Sequence, residues 1–530
     1  MMLTSAILLL TLGVQLSHAD DSSRENFSNR CDQLAKEIHI PNVTVNFVEY
    51  VANGTNVTLA DNPPSCGQSN QVVLADLCRV AMEVTTSNQS QITLEAWFPE
   101  NYTGRFLSTG NGGLAGCIQY VDMAYASSMG FATVGANGGH NGTSGESFYH
   151  NPDIVEDLSW RSVHTGVVVG KELTKKFYHE GFHKSYYLGC STGGRQGFKA
   201  VQEFVHDFDG VVAGCPAFNF VNLNSWSGHF YPITGNSSAD TFLTTAQWTL
   251  VQQSVMEQCD SLDGAVDGVI EAIDQCHPVF EQLICRPGQN ASECLTGKQV
   301  NTAQLVLSPI YGTKGEFLYP RMQPGVENVD MYITYNGDPF AYSTDWYKYV
   351  VFSDPNWDPA TLNAQDYEIA LAQNPSNIQT FEGDLSAFRD AGAKVLTYHG
   401  TADPIITGET SKVYYRHVAE TMNAAPEELD EFYRYFRIGG MSHCGGGTGA
   451  TAIGNVLSAQ WSNDPDANVL MAMVRWVEEG VAPEYIRGAS LGSGPGAKVE
   501  YTRRHCKYPT RNVYVGPGNW TDENAWKCIL

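Results

Sequence analysis

Long apolar runs are missing from almost the whole of this sequence. After Leu12 nothing reads as roughly 18 or more unbroken apolar residues, which excludes a membrane-spanning helix from the pattern. Positive charge is also scarce: 31 Lys and Arg stand against 57 Asp and Glu, for a formal net charge of −26. Phosphates would be repelled, so nucleic acid and anionic membrane surfaces are excluded as partners, and solubility is the plain consequence. No internal repeat or low-complexity tract interrupts the chain, which excludes a solenoid or an extended linker.

What is present begins with an apolar run, Ala6 to Leu12, ending in Ser17-His18-Ala19, small residues at the positions a signal peptidase reads. Residues 1–19 are expected to be a signal peptide, the mature chain to start near Asp20, and the protein to be secreted and extracellular. Ten Asn-x-Ser/Thr sequons follow, at Asn26, Asn42, Asn53, Asn56, Asn88, Asn101, Asn141, Asn236, Asn290 and Asn519, and several of them are expected to carry glycans. Thirteen cysteines in an oxidising compartment imply a disulfide framework with one thiol left over. Local clustering suggests the pairs Cys259 with Cys276, Cys285 with Cys294, and Cys506 with Cys528.

At 530 residues the chain can bury a large core and divide into two compact units. Short β-rich runs end in glycine turns: Phe106-Leu107-Ser108, Phe131 to Val134, Tyr186-Tyr187-Leu188 and Val211-Val212-Ala213. Segments with helical spacing, such as Val163 to Phe177 and Gly194 to Val205, lie between them. This alternation predicts an α/β fold with a mostly parallel sheet covered on both sides. It weakens from about Phe218 to Phe388 and resumes at Lys394 to Tyr398 and Phe432 to Ile438. Residues 20–217 and 389–530 are therefore read as a core domain and 218–388 as an inserted one.

The strongest local signal is Gly189-Cys190-Ser191-Thr192-Gly193, a G-x-S-x-G after one predicted strand and before a predicted helix. That is the setting of a nucleophile elbow; the alternative is a chance glycine turn. A serine hydroxyl needs a base to take its proton and a carboxylate to orient that base. In this fold class the order is serine, acid, histidine. Asp403, in His399-Gly400-Thr401-Ala402-Asp403-Pro404, and His443, in Gly440-Met441-Ser442-His443-Cys444-Gly445, fit that order on loops after strands. His399 and His140 are rival bases, ranked lower by position.

Cys190 precedes the serine and Cys444 follows the histidine, so one disulfide between them would tie nucleophile and base together at a Cα separation of roughly 5.5 Å. Donors for an oxyanion would be the N–H of Thr192 and one from the loop Gly110-Asn111-Gly112-Gly113, where Gly112 is chosen over Gly113 by a narrow margin. In the insertion, Asp260, Asp263 and Asp267 lie among two glycines, a density of hard oxygen ligands that suits Ca²⁺ with the carbonyls of Ala265 and Val269. The spacing is not that of an EF-hand, and an Asp/Gly turn without metal explains it equally well.

These residues together resemble the tannase family, which includes fungal feruloyl esterases of the tannase-like group. The signature is a Cys-Ser pair, an aspartate and a His-Cys pair, matched here by Cys190-Ser191, Asp403 and His443-Cys444, with Gly193-Gly194-Arg195-Gln196 similar to the family elbow. The resemblance implies an α/β-hydrolase core, a lid inserted between serine and aspartate, and a structural calcium in that lid on Asp260, Asp263, Ala265, Asp267 and Val269. It also implies the pairs Cys31–Cys78 and Cys66–Cys117, leaving Cys215 as a buried thiol without a catalytic part. The expected activity is hydrolysis of hydroxycinnamoyl esters, such as feruloyl and p-coumaroyl esters of plant cell-wall polysaccharides, through an acyl-enzyme. A tannase acting on galloyl esters, a non-catalytic calcium-dependent wall-binding glycoprotein and a serine peptidase are the alternatives weighed.

Overall fold

The run Val43–Val51 alternates valine and aromatic side chains with polar ones, and most of its outward positions are exposed, as an edge strand with one face on a core requires. Eight further strands join it. In chain order they are β1 (Val43–Val51), β2 (Leu77–Thr85), β3 (Gln91–Pro99), β4 (Arg105–Thr109), β5 (Phe131–Ala136), β6 (Lys184–Cys190), β7 (Gly210–Gly214), β8 (Lys394–Gly400) and β9 (Tyr433–Ile438). They form one nine-stranded sheet ordered β1-β2-β3-β5-β4-β6-β7-β8-β9. The computed structural model describes residues 26–290, 292–327, 334–492 and 497–530; the leader expected at residues 1–19 lies outside the described residues.

From β5 to β9 the neighbours run parallel. The pairs β1–β2, β2–β3 and β3–β5 are antiparallel. The sheet is thus mostly parallel, as the alternation of strands and helices predicts, with an antiparallel flank that the reading of the sequence did not contain. β5, β7 and β9 are buried along their whole length, because helices cover both faces.

The two-residue period of the strands sorts their side chains between two cores. Phe106, Tyr187, Val211 and Val395 join one, with Phe198 and Val201 of the helix Thr192–Glu203 and Val163 to Phe177 of the helix Ser162–Tyr178. Their neighbours Leu107, Leu188, Val212 and Leu396 join the other, under the helix Val469–Glu479. Each such side chain stabilises the fold by about 1.5–3 kcal/mol on burial.

Between β7 and β8 the chain leaves the sheet. The helices Phe220–Thr234, Thr245–Cys259, Gly297–Val306 and Ala364–Gln373 surround a third apolar cluster that holds Trp226, Trp248, Trp346 and Tyr335. Capping boxes at Thr244/Gln247 and Thr296/Gln299 start two of these helices. The cluster also takes in Leu114, Phe148 and Leu158 from the sheet side, so these helices close over the carboxyl-end loops.

Candidate active site

Three loops at the carboxyl ends of β6, β8 and β9 meet over the sheet. β6 ends at Cys190, and Ser191 turns into the following helix with φ 66° and ψ −125°. That conformation is strained for a residue with a Cβ, and a sharp strand-to-helix turn of this kind presents the serine hydroxyl. The surrounding glycines are sterically required: a Cβ on Gly110 would lie 2.5 Å from the Gly193 Cα, and one on Gly194 would lie 2.3 Å from the Gly214 carbonyl.

Asp403 follows β8 and is fully buried. Its Oδ1 accepts the N–H groups of Ile405 and Ile406, each at 2.9 Å, and its Oδ2 lies 2.8 Å from His443 Nδ1. Burial works against the charge of Asp403, but the facing histidines and these hydrogen bonds win and hold its carboxyl well below the usual carboxylate range. The loops after β8 and β9 are stitched together as well, with Ala402 N–H on the Met441 carbonyl at 3.0 Å and Gly440 N–H on Thr401 Oγ1 at 2.9 Å. A Cβ on Gly400 would meet the Met441 carbonyl at 2.1 Å, so this close approach needs glycine.

Ser191 and His443 line one cavity of about 450 Å³. Of the rival bases, His399 sits behind the acid: it is buried, its Nε2 lies 3.3 Å from Asp403 Oδ2 and 2.8 Å from the Ile406 carbonyl, and its Nδ1 meets Ser411 Oγ at 2.7 Å. His140 is buried against Phe148, and burial lowers its pKa. Neither lines the cavity.

Six disulfides join the pairs expected from the sequence and from the family resemblance: Cys31–Cys78, Cys66–Cys117, Cys190–Cys444, Cys259–Cys276, Cys285–Cys294 and Cys506–Cys528. Cys190–Cys444 spans 5.9 Å between Cα atoms and 254 residues of sequence, and it fixes the residue before Ser191 to the residue after His443. The His443 loop runs on through Gly445-Gly446-Gly447, all at positive φ, and is otherwise held by hydrogen bonds of Ser442 N–H to the Gly446 carbonyl, of Thr448 N–H to the Gly440 carbonyl and of Asn455 Nδ2 to the Cys444 carbonyl. Replacing Cys190 and Cys444 together by serine is expected to lower kcat/KM by about 10²-fold, because a misplacement near 1 Å is enough. Tryptophan fluorescence and far-UV circular dichroism should be unchanged; a parallel loss of both would mean that the bond holds the fold and not the site. The remaining thiol, Cys215, is buried beside Asp403, and burial pushes its pKa well up, so it stays protonated.

Of the expected oxyanion donors, Thr192 is the first residue of its helix, where the N–H has no partner within the helix. The Asn111 N–H is committed to Gln196 Oε1 at 2.9 Å. Gly112 and Gly113 both line the cavity with Thr192, and among the described residues neither N–H has an acceptor.

The three carboxylates of the acidic segment are also buried, although the turn that carries them is exposed at Leu262 and Val266. Asp260 accepts from Gly268 N–H, Asp263 from Ala265 and Glu271 N–H, and Asp267 from Val269 N–H, while Arg503 reaches Asp267 Oδ2 at 2.8 Å. Burial, and then the charges of Glu271 and Asp267, push the Asp263 carboxyl up to about 7, and Asp260 is raised too. Asp260, Asp263 and Glu271 each feel the charge of Asp267, while Arg503 pairs with Asp267 and Glu271, and this buried negative charge suits a divalent cation held with the carbonyls of Ala265 and Val269.

The cavity walls carry no signal in the sequence. Gln119, Val121, Asp122, Val456 and Ser458 come from the core, and Phe220, Leu223, Phe340 and Tyr342 from the insertion. None of these carries a motif, because a wall is assembled from residues far apart in sequence.

The model of the family described as tannase and feruloyl esterase matches residues 78–529. A protein of Aspergillus terreus named probable feruloyl esterase B-2 is 62% identical over 517 residues, covering 98% of each chain. The crystal structure of feruloyl esterase B from Aspergillus oryzae superposes with a TM-score of 0.93 at 57% identity, over 95% of this chain and 100% of that one. That of a tannin acyl hydrolase from Aspergillus niger superposes at 0.73 with 22% identity over 94% and 95%, a likeness of fold alone.

Proposed function

This chain belongs to the tannase and feruloyl esterase family, and on that premise we propose that it is a serine carboxylesterase that releases hydroxycinnamic acids from their esters on plant cell-wall polysaccharides. Ser191 is the nucleophile, His443 its base and Asp403 the residue that orients His443. The observation that carries the reading is the 2.8 Å contact of His443 Nδ1 with a buried, charged Asp403, on the same cavity as Ser191.

His443 takes the Ser191 proton as the hydroxyl oxygen adds to the ester carbonyl, and the N–H of Thr192 with that of Gly112 or Gly113 receives the oxyanion. The imidazolium returns the proton to the leaving alkoxide, and the acid stays on Ser191 as an ester. Water activated by His443 then splits that ester. Asp403 keeps its charge throughout and stabilises the imidazolium.

Initial rates on methyl ferulate, p-coumarate, caffeate, sinapate and gallate test the substrate class. Turnover of the hydroxycinnamates without gallate is expected; gallate alone would make the protein a tannase.

Calcium is proposed as a structural ion on Asp260, Asp263, Asp267 and the carbonyls of Ala265 and Val269, where it supplies charge to the crowded carboxylates. Those residues adjoin the His443 loop, since a Cβ on Gly440 or Gly449 would come within 3.2 Å of Val269. Chelation is expected to lower the unfolding midpoint by about 5 °C, with recovery on adding Ca²⁺. A midpoint that EDTA does not move would remove the ion from the account. Secretion is proposed from the leader-like start of the sequence and supported by the six disulfides.

A further inference from the structure

The polar side chains of the cavity fall into two groups. Those of Asn111, Thr192, Asn224 and Ser227 are spent on the protein: Asn111 on Ala136 and Cys117, Thr192 on Gly113, Asn224 on Phe220, and Ser227 on Leu223 and Ser343. Those of Gln119, Asp122, Tyr342 and Ser458 have no protein partner among the described residues. Asp122 is the one carboxyl among the described lining residues.

Its place in the fold does not explain it. Asp122 lies in the first turn of the helix Tyr120–Ser128, where an acid commonly serves as a cap, yet the helix start receives no side-chain cap bond. Among the described residues no cation pairs with it either. Asp122 is half-buried on the cavity wall, and desolvation there pushes its carboxyl up to about 7. The rest of the wall is suited to a flat ring, with Phe220, Phe340 and Tyr342 contributed by the insertion. The helix carrying Asp122 also packs on the turn Leu457–Ala459, which brings the free Ser458 hydroxyl to the same end.

We propose that Asp122 is the specificity-determining residue of this cavity, accepting the hydrogen bond of a phenolic hydroxyl on the acyl ring. This rests on the ester reading above. A phenol is a strong O–H donor, and a carboxyl oxygen in an apolar cavity is a strong acceptor, so the pair compensates a group that is otherwise costly to bury. A ring without that hydroxyl leaves Asp122 unpaired and is rejected on that ground. The acyl groups favoured are thus free phenols, with etherified or unsubstituted rings excluded.

The test is the ratio of kcat/KM for methyl p-coumarate to that for methyl cinnamate, which lacks the hydroxyl, and for methyl 4-methoxycinnamate, in which it is capped. In Asp122→Ala both ratios are expected to fall by about 10- to 100-fold relative to the wild type, whatever happens to the common rate. Asp122→Asn keeps the shape and an oxygen acceptor without the charge, so it should fall by less and guards against misfolding of the alanine variant. Ratios in both variants equal to the wild-type ratios would overturn the inference and leave the ester reading standing. Failure of the wild type to hydrolyse any of the three esters would overturn both.

Discussion

Ser191→Ala is expected to lower kcat on methyl ferulate by about 10⁶-fold, to a residue of activity owed to binding and oxyanion stabilisation alone. The size follows from the chemistry. Without the hydroxyl there is no bond to the acyl carbon, and His443 has no proton to take. The elbow tolerates the change, because alanine keeps the Cβ that already sits at φ 66° in the wild type. Expression, disulfide content and unfolding midpoint should therefore match the wild type. Undiminished turnover would sink the assignment of the nucleophile, and the wall-binding alternative would regain its place if the wild type were inert as well. Casein cleavage lost in the same variant would instead point to a peptidase.

Asp403→Asn is expected to cost about 10⁴-fold in kcat with little change in KM. Asp403 spends Oδ1 on the N–H groups of Ile405 and Ile406 and Oδ2 on His443 and His399. An amide can satisfy one side only. If its oxygen stays on the two backbone donors, its NH₂ faces His443 Nδ1, forces the wrong tautomer and leaves Nε2 protonated and useless as a base. Steady-state rates with tryptophan fluorescence as a folding control measure this. A loss under about tenfold would shift the orienting role elsewhere, His399 and Cys215 being the groups in contact with the same carboxylate.

Much of this arrangement was legible before any coordinates. Ser191, Asp403 and His443 carry local context, because an elbow needs glycines at fixed offsets and because acid and base follow strands. Cys190 and Cys444 betray their pairing by standing next to two residues that must meet. The antiparallel flank β1 to β3 escaped for a physical reason. β1 runs into a turn at Gly54, but β2 and β3 lack a glycine at their ends of the kind that stops β4 to β7, and their alternating pattern fits a solvent-facing ribbon as well as a sheet edge. The cavity walls escaped for another. Asp122 and Ser458 lie 336 positions apart and Phe340 comes from the insertion, so no periodicity links them.

The most direct test of the central claim is a rapid-quench experiment on the wild type with methyl ferulate in excess, followed by peptide mapping by mass spectrometry. A feruloyl group is predicted on the peptide that contains Ser191, appearing before steady state and absent from Ser191→Ala. Steady hydrolysis with no acyl group on Ser191, or with the group on another residue, would contradict the account.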